Sequence, residues 1–164
     1  MSDLLAKLQK DYGDGYNAHL FEQYRLYVES VEKTSDRRQH ANDYFITINT
    51  ALIALIGLSF QIKSFENVVW IKCALSVVGA IICVAFSYLI RSYKQLNAGK
   101  FAVIHEIEQQ LPLALYTYEW KILGEGKDKK KYYPFSHIER LIPWFFGVIY
   151  VLLGSYLIWT AMKP

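Results

Sequence analysis

The sequence predicts an all-α integral membrane protein with three transmembrane helices per chain, the first span continuous with a cytoplasmic N-terminal helix, assembled as a homo-oligomer. Three observations carry that expectation. The apolar residues, 53% of a 164-residue chain, concentrate in three blocks at 44–62, 70–90 and 141–162, each about as long as a bilayer core is thick. A chain this short has too little other protein to bury three helices that are apolar on most sides. The first block also carries polar side chains that a lipid anchor does not need. It is nineteen residues without a formal charge, a helix of ~28 Å, and yet it contains Thr47, Asn49, Thr50, Ser59 and Gln61.

Each element follows in order. Residues 1–43 form a cytoplasmic helical arm: Leu20, Tyr24, Tyr27, Val28 and Val31 fall at helical spacing. No Gly or Pro interrupts residues 16–56, so one helix can run from the arm through the first span at 44–62. The break is expected upstream, at Tyr12-Gly13-Asp14-Gly15. The link KSFENVV at 63–69 is short enough to force an antiparallel hairpin. The second span, 70–90, contains Lys72 near one end, where a long stem can lift the ammonium to the interface. Residues 91–140 carry helical spacing onward to Pro112, with Gly99 the weak point, and then read as an irregular basic loop with glycines 124 and 126 and Pro134. The third span, 141–162, opens LIPW, where Pro143 can sit in a first helical turn without losing a needed donor. A cleaved signal peptide is not expected, because some forty mixed-charge residues precede the first apolar block.

Charge sets the expected orientation. Fifteen of the eighteen Lys and Arg lie in residues 1–43 and 91–140, against three elsewhere, which predicts that both segments are cytoplasmic and that the C-terminus ends on the far side. The same segments hold fourteen Asp and Glu, so the basic excess reflects topology and no reading of duplex-DNA sequence is expected. Cys73 and Cys83, ten residues apart in the second span, point in different directions and read as small packing residues.

Thr47, Thr50, Ala54, Gly57 and Gln61 are separated by 3, 4, 3 and 4 residues, one narrow stripe of small and polar groups. Asp43 extends it, and Asn49 lies about 100° away on a flanking face. The second span has a comparable stripe in Ser76, Ala80, Cys83 and Ser87, with Gly79 beside it. A hairpin with two such stripes can pack on two neighbouring copies at once. Two readings stay open. Small residues let helices pack closely and hydroxyls bond across them. Alternatively, first-span helices from several copies surround a water-filled path, since three spans of one chain leave no room for one. Either way the stripe faces protein, because Gln61 is costly against lipid.

No catalytic constellation is visible, and neither cofactor nor metal is expected. His19, His40, His105 and His137 have no ligand spacing with each other or with cysteine. GEGKDKKK at 124–131 lacks the spacing of a phosphate-cradling loop. As an anion site, Lys127, Lys129, Lys130 and Lys131 would meet phosphates while Tyr132 stacks a base; anionic lipid headgroups would satisfy the same lysines. Arg37 and Arg38, just before the first span, are candidates for the same role.

The strings EQYRLYVESVEKTSDRRQHANDYFITINTALIALIGL, IRSYKQLNAGKFAVIHEIEQQLP, TYEWKIL and HIERLIPW together resemble the RipA-like bacterial membrane proteins, whose helical hairpin is similar to that of the broader SLATT group. The resemblance covers about residues 20–144. It implies a homo-oligomer, an octamer in the family name, in the bacterial cytoplasmic membrane. It also implies a pore-forming defence effector, responding to a nucleotide or single-stranded nucleic-acid oligomer made by a partner synthase. SLATT proteins have two spans, and a third apolar block is present here. The reading that results is a signal-gated channel or pore; its alternative is a non-conducting membrane scaffold that recruits a partner.

Overall fold

The structure is a computed structural model that describes residues 4–61, 69–128, 130–134 and 138–162. Most of the expected 63–69 loop, together with Ile62, Lys129, His137 and the Lys163-Pro164 end, lies outside the described residues. The elements are α1 (Gln9–Tyr12), α2 (Tyr16–Ser59), α3 (Val69–Glu108), α4 (Leu115–Ile122), a 3-10 turn at Gly124–Gly126, and α5 (Leu141–Ala161). No strand occurs among the described residues. Among the described residues three helices, α2, α3 and α5, are long and apolar enough to cross a membrane. The all-helical, three-span part of the expected fold class is the one found, with residues 44–59 of the first apolar block continuous with the segment from Tyr16 in one helix. Gly13, at φ +94°, supplies the left-handed turn that separates α1 from α2.

The chain divides into two compact units, one of Met1–Arg37 with Tyr93–Pro134 and one of Arg38–Ser92 with Phe135–Pro164; α2 and α3 supply residues to both. The second unit is a three-helix bundle with a buried or half-buried seam on each helix. On α2 the seam is Asn42, Phe45, Asn49, Leu52 and Ile56; on α3, Lys72, Ser76, Gly79, Cys83, Phe86 and Ile90; on α5, Pro143, Phe146, Tyr150, Leu153 and Leu157. Alternating steps of three and four keep one face of a helix toward its neighbours. Phe45 stacks on Phe86 with ring centroids 3.9 Å apart, and Phe146 meets Phe45 edge-on. Lys72 places its ammonium 4.4 Å from the Phe60 ring centroid. Partners of α3 climb (72, 83, 86) as those of α2 descend (60, 49, 45), so these helices are antiparallel, while α5 runs with α2.

The stripe on the second span is used inside the chain. Ser76 and Cys83 are buried, and a Cβ added at Gly79 would collide with the Tyr150 ring. Cβ atoms at Gly147 and Gly154 would fall in ordinary contact with Cys83 and Ser76. Small residues on both helices let α3 and α5 approach closely, which is the packing role of such stripes. The expectation of two stripes, each free for a neighbouring copy, thus reduces to one. Periodicity located the second stripe correctly but could not say that the chain's own third helix covers it.

The first unit contains a helix that the sequence did not announce. Residues 115–122 read as irregular after Pro112, and Ala114 is not a capping residue. The cap comes from Glu108, at the end of α3. Its Oε1 accepts the Tyr116 N–H at 2.8 Å, and its Oε2 accepts the Thr117 N–H at 2.9 Å and the Thr117 hydroxyl at 2.7 Å. Tyr24 on α2 donates to Oε1 at 3.2 Å. One buried carboxylate thus satisfies free donors of the first turn of α4 and ties three helices together.

Candidate functional site

The face of α2 opposite its buried seam carries the predicted stripe. Thr47, Thr50, Ala54 and Gly57 are all exposed on the surface of this single chain, about half a turn from Phe45, Asn49 and Ile56. A Cβ at Gly57 would meet nothing within 4 Å. Gln61 is exposed too, but lies beyond the helix end, in a turn where its N–H reaches Leu58 O. Beside the stripe α2 also exposes bulky apolar groups, Leu55 and Leu58 among them. α3 shows Val77, Ile81 and Val84, and α5 shows Phe145, Val148, Val151 and Leu152, bulky groups suited to acyl chains. The Thr47 hydroxyl donates to Asp43 O at 2.8 Å, so its donor is spent within the helix while its oxygen can still accept.

Asn49 departs from the other five residues of the expected set. Its exposure is 0%. Its Nδ2 donates to Phe45 O at 2.8 Å, and its Oδ1 accepts the Tyr150 hydroxyl at 3.0 Å and faces the Cys83 sulfur at 3.7 Å. The side chain is a polar joint among α2, α3 and α5. The physical reason is angular: one position from Thr50 is 100° of rotation, enough to leave the outer face for the inner one.

Of the residues expected to bind anions, Arg38 belongs to the second unit, Arg37 and the basic turn to the first, and Lys129 lies outside the described residues. Lys127 is exposed and paired with Glu125 at 2.6 Å. The backbone N–H of Lys130 donates to the Asp128 carboxylate at 3.0 Å, and the N–H groups of Lys131 and Tyr132 to Asp128 O. Three successive positive φ values, at Gly124, Glu125 and Gly126, shape this turn, which explains both glycines. Tyr132 meets Trp120 edge-on and helps line a hollow of about 490 Å³ with Phe101, His105, Tyr116 and Glu119. Arg38 is drawn to Glu139, with Nε 3.5 Å from Oε1; the same oxygen accepts Asn42 Nδ2 at 2.6 Å. In the sequence Glu139 reads, as the near neighbour of His137, as a surface or packing polar group; the structure buries it. Arg37 lines a different hollow, of about 340 Å³, with Lys33 and Lys100.

Burial pushes the Glu108 carboxyl up, but hydrogen bonds from the Thr117 hydroxyl, the Tyr116 and Thr117 N–H groups and Tyr24 outweigh it and hold the group below its ordinary value. Desolvation, then the nearby Glu108 charge and hydrogen bond, push the Tyr24 phenol up to about 12. Among the described residues no cluster of three or more His, Cys, Asp or Glu could hold a metal ion.

Three membrane-length helices packed on their own seams define a helical integral membrane protein. The model of the octameric membrane protein family (8xMP) matches residues 21–159, and the chain belongs to that family. No curated protein and no solved structure matches it.

Proposed function

We propose that this chain is the protomer of a homo-octameric, non-catalytic channel or pore in the bacterial cytoplasmic membrane. Its α2 helices surround the central axis, with Thr47, Thr50, Ala54 and Gly57 facing inward and Gln61 at the far end. Asn49 holds the protomer together from behind. The observation that carries the reading is the opposition of the two faces of α2: one seam is consumed within the chain, and the other is small, polar and exposed. A face of that kind against lipid would lose the close packing and polar contacts that small residues and hydroxyls make possible.

In this reading residues 1–43 and 91–140 are cytoplasmic and receive the signal that shifts closed toward open. The resemblance to SLATT-type effectors supports an antiviral setting, with a nucleotide or single-stranded nucleic-acid oligomer from a partner synthase as the signal. Lys127, Lys129, Lys130, Lys131 and Tyr132 would meet it, Lys127 leaving its exposed ion pair with Glu125, a weak contact at the surface.

Thr50→Phe tests the assignment. The side chain is exposed in the protomer, so the bundle should fold and assemble, while ion flux through proteoliposomes should be abolished by an apolar constriction. Wild-type protein that assembles but never conducts would instead favour a scaffold. One observation favours that second reading: the Thr47 hydroxyl is already committed to the Asp43 carbonyl, as suits a dry, closely packed axis.

A further inference from the structure

The hollow beside Arg37 has chemistry that the channel reading does not use. It lies within the first unit, and its walls bring together Lys33 and Arg37 from α2 and Lys100 from α3. Lys100 is fixed in place: its ammonium donates to Ser30 Oγ at 2.6 Å and to Ser30 O at 3.5 Å, and stands 5.2 Å from the Tyr27 ring centroid. Because Ser30 Oγ accepts that bond, its own O–H remains a donor. The Thr34 hydroxyl is spent on Ser30 O. The ion pairs among the described residues join Arg25 to Glu22, Arg38 to Glu139, His105 to Glu108 and Lys127 to Glu125. None uses Lys33, Arg37 or Lys100. Among the described residues Glu29 is the one carboxylate on the wall, against three cations.

We propose that the Lys33–Arg37–Lys100 hollow is a binding site for a phosphate-bearing ligand. A guanidinium fork and two ammonium groups with a hydroxyl donor match an anion that offers several oxygens and more than one partial charge. At about 340 Å³ the hollow is at the small end of ligand sites, with room for a phosphate or diphosphate group. Pre-positioning by Ser30 and Tyr27 reduces the cost of ordering Lys100 when the ligand arrives. The matching chemistry is shared by soluble phosphates and by anionic lipid headgroups. This inference goes beyond the channel reading: it concerns binding, and it stands or falls without conductance.

The test uses the full-length purified oligomer. Pyrophosphate is titrated calorimetrically in detergent, and in a second arm retention of phosphatidylglycerol over phosphatidylcholine is measured by native mass spectrometry. We expect binding in at least one arm, weakened roughly tenfold or more in Lys33→Gln/Arg37→Gln, since each charge-assisted contact is strong. Both side chains are exposed, so this variant should fold. Binding should be unchanged in Lys7→Gln/Lys10→Gln, at two exposed lysines away from the hollow's walls. A response to pyrophosphate identifies a soluble phosphate, and selective retention of phosphatidylglycerol alone identifies a headgroup. The proposal is overturned if neither probe binds, or if binding survives the loss of Lys33 and Arg37.

Discussion

Glu108 shows how much of the first unit rests on one side chain. Its carboxylate takes donors from Tyr116, Thr117 and Tyr24, and these bonds hold its folded value below the ordinary 4.5. A depressed value contributes stability that is complete above the unfolded value and is lost as pH falls through the folded one. Tyr24 works in the opposite sense. Its folded value is raised from 10.0 to about 12, so its share is complete below pH 10 and lost as pH rises between those values. We expect thermal melts followed by circular dichroism to show the α4 clamp weakening at both extremes. Glu108→Gln should cost about 2–3 kcal/mol at neutral pH and flatten the acid limb. A variant that keeps the wild-type acid limb would place the titrating group elsewhere. The glutamate was legible in the sequence only as a charge before a proline, because its partners lie eight and nine residues on, outside any local capping pattern. Asn49 makes the same point. Spacing identified it as adjacent to the stripe, but only the position of Tyr150, 101 residues away, decided that it faces inward.

Among elements, the spans were legible because an apolar run near bilayer length suits little besides a helix that crosses one. The continuity of α2 followed from the absence of Gly and Pro over 16–56. The partner of each face was not legible: two stripes on two helices read alike, and which one the third helix covers is a tertiary fact. Gly79 is where that choice is made, since even a Cβ would strike the Tyr150 ring. Gly79→Ala should therefore destabilise the bundle by roughly 1–3 kcal/mol, the cost of overpacking a tight interface. Combining it with Tyr150→Leu should restore part of the loss, a coupling visible in a double-mutant cycle of denaturation in detergent. Strictly additive losses would mean that α3 and α5 do not meet there. Gly57, with nothing within 4 Å, should tolerate Ala in the isolated protomer, and any defect at that position belongs to the assembly.

For the whole molecule, membership of an octameric membrane family supports assembly, and the proposal places the exposed face of α2 at the contact between copies. Composition could announce membrane helices and an associating surface, but whether water follows the axis depends on a diameter set by copies of the chain against one another. An electron cryo-microscopy reconstruction of the detergent-purified particle measures this most directly. The account predicts a closed ring of eight identical chains with Thr47, Thr50, Ala54 and Gly57 turned toward the symmetry axis. A lone protomer, or a ring in which those residues face detergent, would contradict it.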